Sequence, residues 1–154
     1  MVRILVVSDS HGDSRALMRA LDEQPDARYI LHLGDGASEM RALTPTCNAT
    51  VYQVRGNCDL SSPFPVEQEI RIAGVPIFMT HGHRYGVKGG LGTLADEARR
   101  RGARIAMFGH THQSLTRYED GLYLINPGSL GYSETYATID IVDSDIAPNI
   151  IRIR

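Results

Sequence analysis

Five apolar runs in this chain end alike, in a polar segment that sets Asp, Asn or His beside glycine. VRILVV runs into SDSHGD, YILHL into GDG, the run near 50–54 into RGNCD, the run at 75–80 into THGH, and RIAMF into GHTH. A short apolar run closed by glycine reads as a buried strand with a sharp exit. When such strands lie side by side in an α/β sheet, their C-terminal ends meet along one edge, where ligand sites are built. The pattern therefore predicts a fold that brings Asp9, His11, Asp35, Asn57, His81, His110 and His112 together. Glycines 12, 34, 36, 56, 82 and 109 are expected to let the backbone turn there.

The remaining pattern fits that frame. SRALMRALDEQ places Leu17, Ala20 and Leu21 at helical spacing, with Asp13 or Ser14 as cap and Pro25 beyond the end. Further helices are predicted over 36–43, before Pro45, and over 90–101, where Leu91, Leu94, Ala95 and Ala98 share a face. Strands at 66–72 and 75–80 flank Ala73-Gly74 as a tight hairpin. After 114, the turn signals EDG, NPG and DSD divide short strands, and no helix is expected. An α/β fold of two β-sheets packed face to face with helices outside would bury all of these elements. With 154 residues, 42% hydrophobic and 22% charged, and no linker or repeat, one domain spanning 1–154 is expected.

Charge and composition exclude several functions. The net charge is −2, and the largest block of like charge, Arg99-Arg100-Arg101, reads as a solvated helix face near a C-terminus. There is thus no strong nucleic-acid or membrane-surface signal. No apolar run approaches the roughly 18 residues that span a bilayer, and MVRILVVSDS lacks the long apolar region and cleavage site of a signal peptide. Cys47 and Cys58, the two cysteines, have no CxxC spacing, so a reducing cytoplasm is the expected location. A homo-oligomer is left open.

Asp, Asn and His side chains form a ligand set suited to Mn, Fe, Co, Ni or Zn, and the lack of a cysteine cluster argues against a structural zinc. The set suffices for two ions if one carboxylate bridges. Two ions about 3.5–4 Å apart hold a hydroxide between them and clamp a phosphate for in-line attack. Hydrolysis of a phosphoester is the expected chemistry.

SDSHGD, LGD, RGNCD, THGH and GHTH, in that order and followed by NPGS, resemble the calcineurin-like metallophosphoesterases, in particular their small YfcE-like phosphodiesterases. The resemblance runs over nearly the whole chain. It implies a four-layer αββα sandwich holding two divalent transition-metal ions, most readily Mn. By matching position it implies one ion on Asp9, His11, Asp35 and His112 and the other on Asp35, Asn57, His81 and His110, with Asp35 as the bridge. Asp9, Asp35, Asn57, Cys58 and His81 would line the reacting centre, and a metal-bridging hydroxide would attack the phosphoester substrate. His83 is expected beside the ligands or facing substrate, and His32 is expected to be structural. Asp59 is expected to orient the loop or a site histidine.

Two departures mark this sequence. Where most of the superfamily has a His that contacts the substrate phosphate, this chain has Cys58, as the small YfcE-like members tend to. A thiol with a reference pKa of about 8.5 is a poorer acid near neutrality, so esters with good leaving groups, such as aryl phosphodiesters, should be hydrolysed better than alkyl phosphates. After NPGSLG, where small members continue toward Pro-Arg, this chain reads YSET, and Arg84 is the nearest replacement for the missing cation.

Three other readings compete. A scaffold like the retromer subunit of eukaryotes has a similar fold but has lost parts of the site, whereas every expected ligand is present here. A cysteine nucleophile would want a C-x5-R loop, and the residue six beyond Cys58 is Phe64. GLGTLA matches GxGxxA but follows RYGVKG rather than a strand, so its glycines are read as a helix start.

Overall fold

The structure, a computed structural model, describes all 154 residues. In chain order its strands are β1 (Val2–Val7), β2 (Tyr29–His32), β3 (Thr50–Gln53), β4 (Glu67–Ile72), β5 (Val75–Thr80), β6 (Ile105–Met107), β7 (Leu115–Glu119), β8 (Leu122–Asn126), β9 (Thr135–Val142) and β10 (Asp145–Arg152). The helices are α1 (Ser14–Glu23), α2 (Ala37–Leu43) and α3 (Gly92–Arg100). One five-stranded sheet runs in the order β10-β9-β1-β2-β3 and the other in the order β4-β5-β6-β8-β7. Within them β1, β2 and β3 are mutually parallel, as are β5, β6 and β8.

Side-chain alternation sets the layers. In β1, Ile4 and Val6 enter the core between the sheets together with Ile72, Val75, Ile77 and Met79. Leu5 and Val7, on the opposite face of β1, pack on Leu17 and Ala20 of α1 and Met40 of α2. In the second sheet Phe78, Ala106 and Leu124 turn outward onto Leu94, Ala95 and Ala98 of α3. The result is an α/β sandwich of two mixed sheets with helices on both outer faces. Central strands covered on both sides read as continuous apolar runs for this reason.

Local chemistry sets the boundaries. Asp13 caps α1 by accepting the Ala16 N–H at 3.0 Å. Ala73-Gly74, Asp120-Gly121 and Asp143-Ser144 all have both central residues at positive φ (50° and 80°, 47° and 82°, 49° and 70°), the backbone of two-residue hairpin turns. NPG is different: it closes no hairpin but carries the chain from β8 in one sheet to β9 in the other.

Two further sequence expectations meet the tertiary structure. Arg101 is no solvated residue. Its guanidinium lies 4.5 Å from the centroid of the Phe78 ring and pairs with Glu67 at 2.7 Å and Glu97 at 3.2 Å, while Arg99 and Arg100 are exposed. The last turn of α3 thereby ties to the edge of the second sheet. The glycines of GLGTLA do open α3, and turns rather than a strand precede them.

Candidate metal centre

Every residue expected at the site follows the C-terminal end of a parallel strand: Asp9 and His11 after β1, Asp35 after β2, Asn57 and Cys58 after β3, His81 after β5, and His110 and His112 after β6. The two sheets present these ends to each other. Asp9 Oδ1 lies 3.4 Å from His11 Nε2, 3.3 Å from His112 Nε2 and 3.8 Å from His81 Nε2. Asp35 Oδ2 lies 3.2 Å from His81 Nε2 and 3.8 Å from His11 Nε2. The His81 and His110 rings meet at 5.1 Å. Donor atoms thus converge in two groups able to hold an ion, Asp9-His11-His112 and Asp35-His81-His110, and a third, His11-Asp35-Cys58, overlaps both.

The backbone is bent sharply to achieve this. Asp9, His11, Asp35, His110 and His112 all have positive φ, between 45° and 70°, a region that costs a side-chain-bearing residue on the order of 1 kcal/mol. Hydrogen bonds hold the strain: Asp9 N–H donates to Gly34 O and His11 N–H to Asp35 O, each at 2.9 Å, and Asp9 O accepts Ser129 Oγ–H at 2.9 Å. Gly12, Gly34, Gly36 and Gly82 supply the expected turns at positive φ. Gly56 and Gly109 do not; their φ is ordinary, and they are needed for space. A Cβ on Gly56 would collide with Asp35 Oδ1, and one on Gly109 with Ser8 Oγ and Asp9 Oδ2.

Each central side chain is anchored through one atom and leaves the other free. Asp9 Oδ2 accepts Ser8 Oγ–H at 2.6 Å and His110 N–H at 3.1 Å, and Asp35 Oδ1 accepts Cys58 N–H at 2.8 Å. His81 Nδ1 meets Leu33 O at 2.7 Å, which holds a proton on Nδ1 and turns Nε2 into the cluster. Asp9 Oδ1 and His81 Nε2 are fully buried with no hydrogen-bond partner, an arrangement native proteins avoid unless another partner completes it. Burial alone would raise the Asp35 carboxyl, yet His81 and the Cys58 N–H hold it below the usual carboxylate range. Burial and the neighbouring His81 push His110 down. Buried carboxylates that hold a positive charge among them, beside imidazole nitrogens turned into the same space, fit a divalent cation.

The flanking residues divide by contact. His32 is buried, shares a 3.0 Å hydrogen bond with Ser10 Oγ, accepts Gly34 N–H at 3.1 Å, and is pushed down to about 4 by burial; it is structural. Asp59 orients the loop, accepting the N–H groups of Asp35, Gly36, Ala37 and Gly56 at 2.7 to 3.1 Å. Asn57 is exposed, its Nδ2 3.6 Å from Cys58 Sγ. The His83 ring lies 5.5 Å from that of His81 and 6.1 Å from that of His110, outside the donor groups, and Arg84 is exposed. Sequence reasoning missed Tyr132, whose ring stacks on His112 at 5.2 Å and 24° and meets His11 at 5.1 Å. Its only sequence signal was the departure after NPGSLG.

The model of the calcineurin-like phosphoesterase superfamily domain matches residues 2–145. The chain belongs to the calcineurin-like phosphoesterase superfamily. Among curated relatives, the probable metallophosphoesterase YsnB of Bacillus subtilis is 32% identical, over 91% of this chain and 85% of its own. Phosphodiesterase YfcE of Escherichia coli K12 is 26% identical, over 95% and 90%. Vacuolar protein sorting-associated protein 29 of Schizosaccharomyces pombe is 28% identical, over 96% and 82%. A crystal structure of a conserved, predicted phosphoesterase from Streptococcus pneumoniae TIGR4 superposes with a TM-score of 0.84 at 28% identity, covering 98% of this chain and 89% of that one.

Proposed function

We propose that this superfamily member is a metal-dependent phosphodiesterase with a dinuclear centre, Asp9, His11, Asp35 and His112 holding one ion and Asp35, Asn57, His81 and His110 the other. The observation that carries this reading is the pair of buried, unpartnered atoms Asp9 Oδ1 and His81 Nε2, which face each other at 3.8 Å between the two donor groups. Carboxylate, amide and imidazole donors accept Mn, Ni, Fe, Co and Zn, and Mn is the ion proposed. When bound, two such ions supply a hydroxide nucleophile at neutral pH and neutralise charge on the phosphate.

The chain's own groups do the rest. Asp35 reaches toward both donor groups and is kept ionised by His81 and the Cys58 N–H. Cys58 borders the reacting centre as a weak acid: burial and then the Asp35 carboxylate push its thiol up. Leaving groups that need no proton are therefore favoured, which points to aryl over alkyl phosphodiesters. Two free cysteines fit a reducing cytoplasm, and no helix is long and apolar enough to cross a membrane. The alternative is a metal-binding or metal-free protein-interaction scaffold of the same fold; its metal-free form would leave the buried donor atoms without a partner.

A matrix of metals against phosphodiesters and phosphomonoesters, with a chelator control, tests the reading. Mn should restore hydrolysis of bis(p-nitrophenyl) phosphate after EDTA treatment, and Asp35→Asn should lower kcat by more than any substitution of a donor confined to one group. Purified protein with no transition metal and no activity in added Mn would sink the enzyme reading.

A further inference from the structure

Cys58 has two neighbourhoods. Its thiol lies among the His11 and Asp35 donor atoms, and the same residue lines a cleft of about 610 Å³ between α2 and the loop 58–64. That volume lies within the range of small-molecule sites, about 300–1,000 Å³. It is larger than a simple alkyl or aryl ester group needs.

The cleft wall is chemically sorted. Pro45, Leu60 and Phe64 offer apolar surface, and Leu60 is 86% exposed at its edge. Ser38 and Ser61 add hydroxyls, and Arg41 is the sole cation lining it. The carboxylates nearby are already engaged: Asp59 by four backbone N–H groups, Glu39 by Ser10 Oγ and the Gly12 N–H. Arg41 is exposed and has no ion-pair partner. An exposed, unpaired guanidinium lining one cleft with apolar side chains and hydroxyls suits a ligand with a flat ring, a hydroxyl-bearing linker and a negative charge.

We infer that this cleft is a nucleotide-binding subsite that receives the leaving group of the diester, with Arg41 on a second phosphate and Phe64 against the base. The inference rests on the phosphodiesterase reading for the leaving-group role, because Cys58 stands where that group departs. Hydrolysis adds water across the P–O bond: hydroxide attaches to phosphorus, and the departing ribose oxygen takes up a proton from solvent; it leaves less readily than an aryl oxygen, and binding of the remote nucleotide in the cleft offsets that cost.

Binding and turnover separate the two ideas. In EDTA, calorimetric titration should show saturable binding of 3′-AMP, the leaving group of ApAp, at least tenfold tighter than adenosine; Arg41→Gln should weaken AMP binding at least fivefold, and Arg41→Lys should restore most of it, with unchanged circular dichroism in both. In Mn, kcat/KM for the dinucleotide ApAp should exceed that for ApA at least tenfold, and the ratio should fall toward one in Arg41→Gln. No saturable AMP binding, or binding indifferent to Arg41→Gln, overturns the subsite whatever the hydrolysis assays give. Arg41-dependent AMP binding with equal ApAp and ApA turnover overturns the leaving-group assignment. Failure to hydrolyse bis(p-nitrophenyl) phosphate in Mn would instead sink the phosphodiesterase reading, while the AMP titration still decides the cleft.

Discussion

Asp59 Oδ2 accepts the backbone N–H of Asp35 at 2.7 Å, and the same oxygen accepts that of Gly56 at 2.8 Å. One carboxylate thereby fixes the loop after β2 to the loop after β3, and its other oxygen takes the first N–H groups of α2. Asp59→Ala leaves four N–H donors of buried residues without this acceptor and should cost about 3 kcal/mol. Urea denaturation should show that loss, and equilibrium dialysis a weaker affinity for Mn. Asp59→Asn, with one acceptor oxygen left, should fall between.

Cys58 controls which alcohols can leave. Replacing it with histidine supplies an acid suited to neutral pH, and general acids contribute roughly 10²–10⁴-fold where the leaving group needs a proton. In Cys58→His the ratio of alkyl to aryl phosphodiester kcat should rise at least about tenfold. An unchanged ratio, with chemistry limiting both rates, would remove Cys58 from the leaving-group side.

Tyr132 braces two of the proposed ligands from outside. Its ring packs on both His11 and His112, while its N–H is held by Ser129 Oγ at 3.0 Å. Residues that orient ligand histidines are worth about tenfold or more in metal affinity. Tyr132→Ala should weaken Mn binding by about that factor, and Tyr132→Phe, which keeps the ring, should not; equal losses would assign the effect to the phenol.

Arg3 and Asp140 face each other across the β1–β9 ladder and share two hydrogen bonds, at 2.8 and 2.9 Å. The Arg3 guanidinium holds the Asp140 carboxyl below its ordinary range. A carboxyl lowered by folding contributes stability above its unfolded value, about 3.9, and loses it as pH falls through the lower folded value. For a partly exposed pair the contribution is about 1 kcal/mol or less. The stability gap between wild type and Asp140→Asn should be present at pH 7 and close as the pH is lowered below about 4, read by urea unfolding across pH.

Much of this was legible in the chain because it is local. An apolar run shows its strand, and the polar residue that follows is placed at the strand end by covalent connection alone. Ala73-Gly74 and Asp143-Ser144 announce their hairpins, and Asp13 its helix, within four residues. Gly56 and Gly109 show the limit. In sequence they resemble Gly34 and Gly82, yet they are required by side chains of other segments, Asp35 in one case and Ser8 and Asp9 in the other.

The sequence by itself determined the inventory: which strands form, that both faces of the central ones are buried, and which Asp, His, Asn and Cys side chains stand at their ends. Only the tertiary structure decided how those groups are used. Asp9 meets His110 across 101 residues of chain, and which oxygen is anchored and which left free depends on that meeting. The same holds for Arg101 over Phe78, for Tyr132 against His11, and for the cleft beside Cys58. Periodicity encodes the face a residue occupies, while contact between the two sheets is a sum over distant partners that no local spacing records.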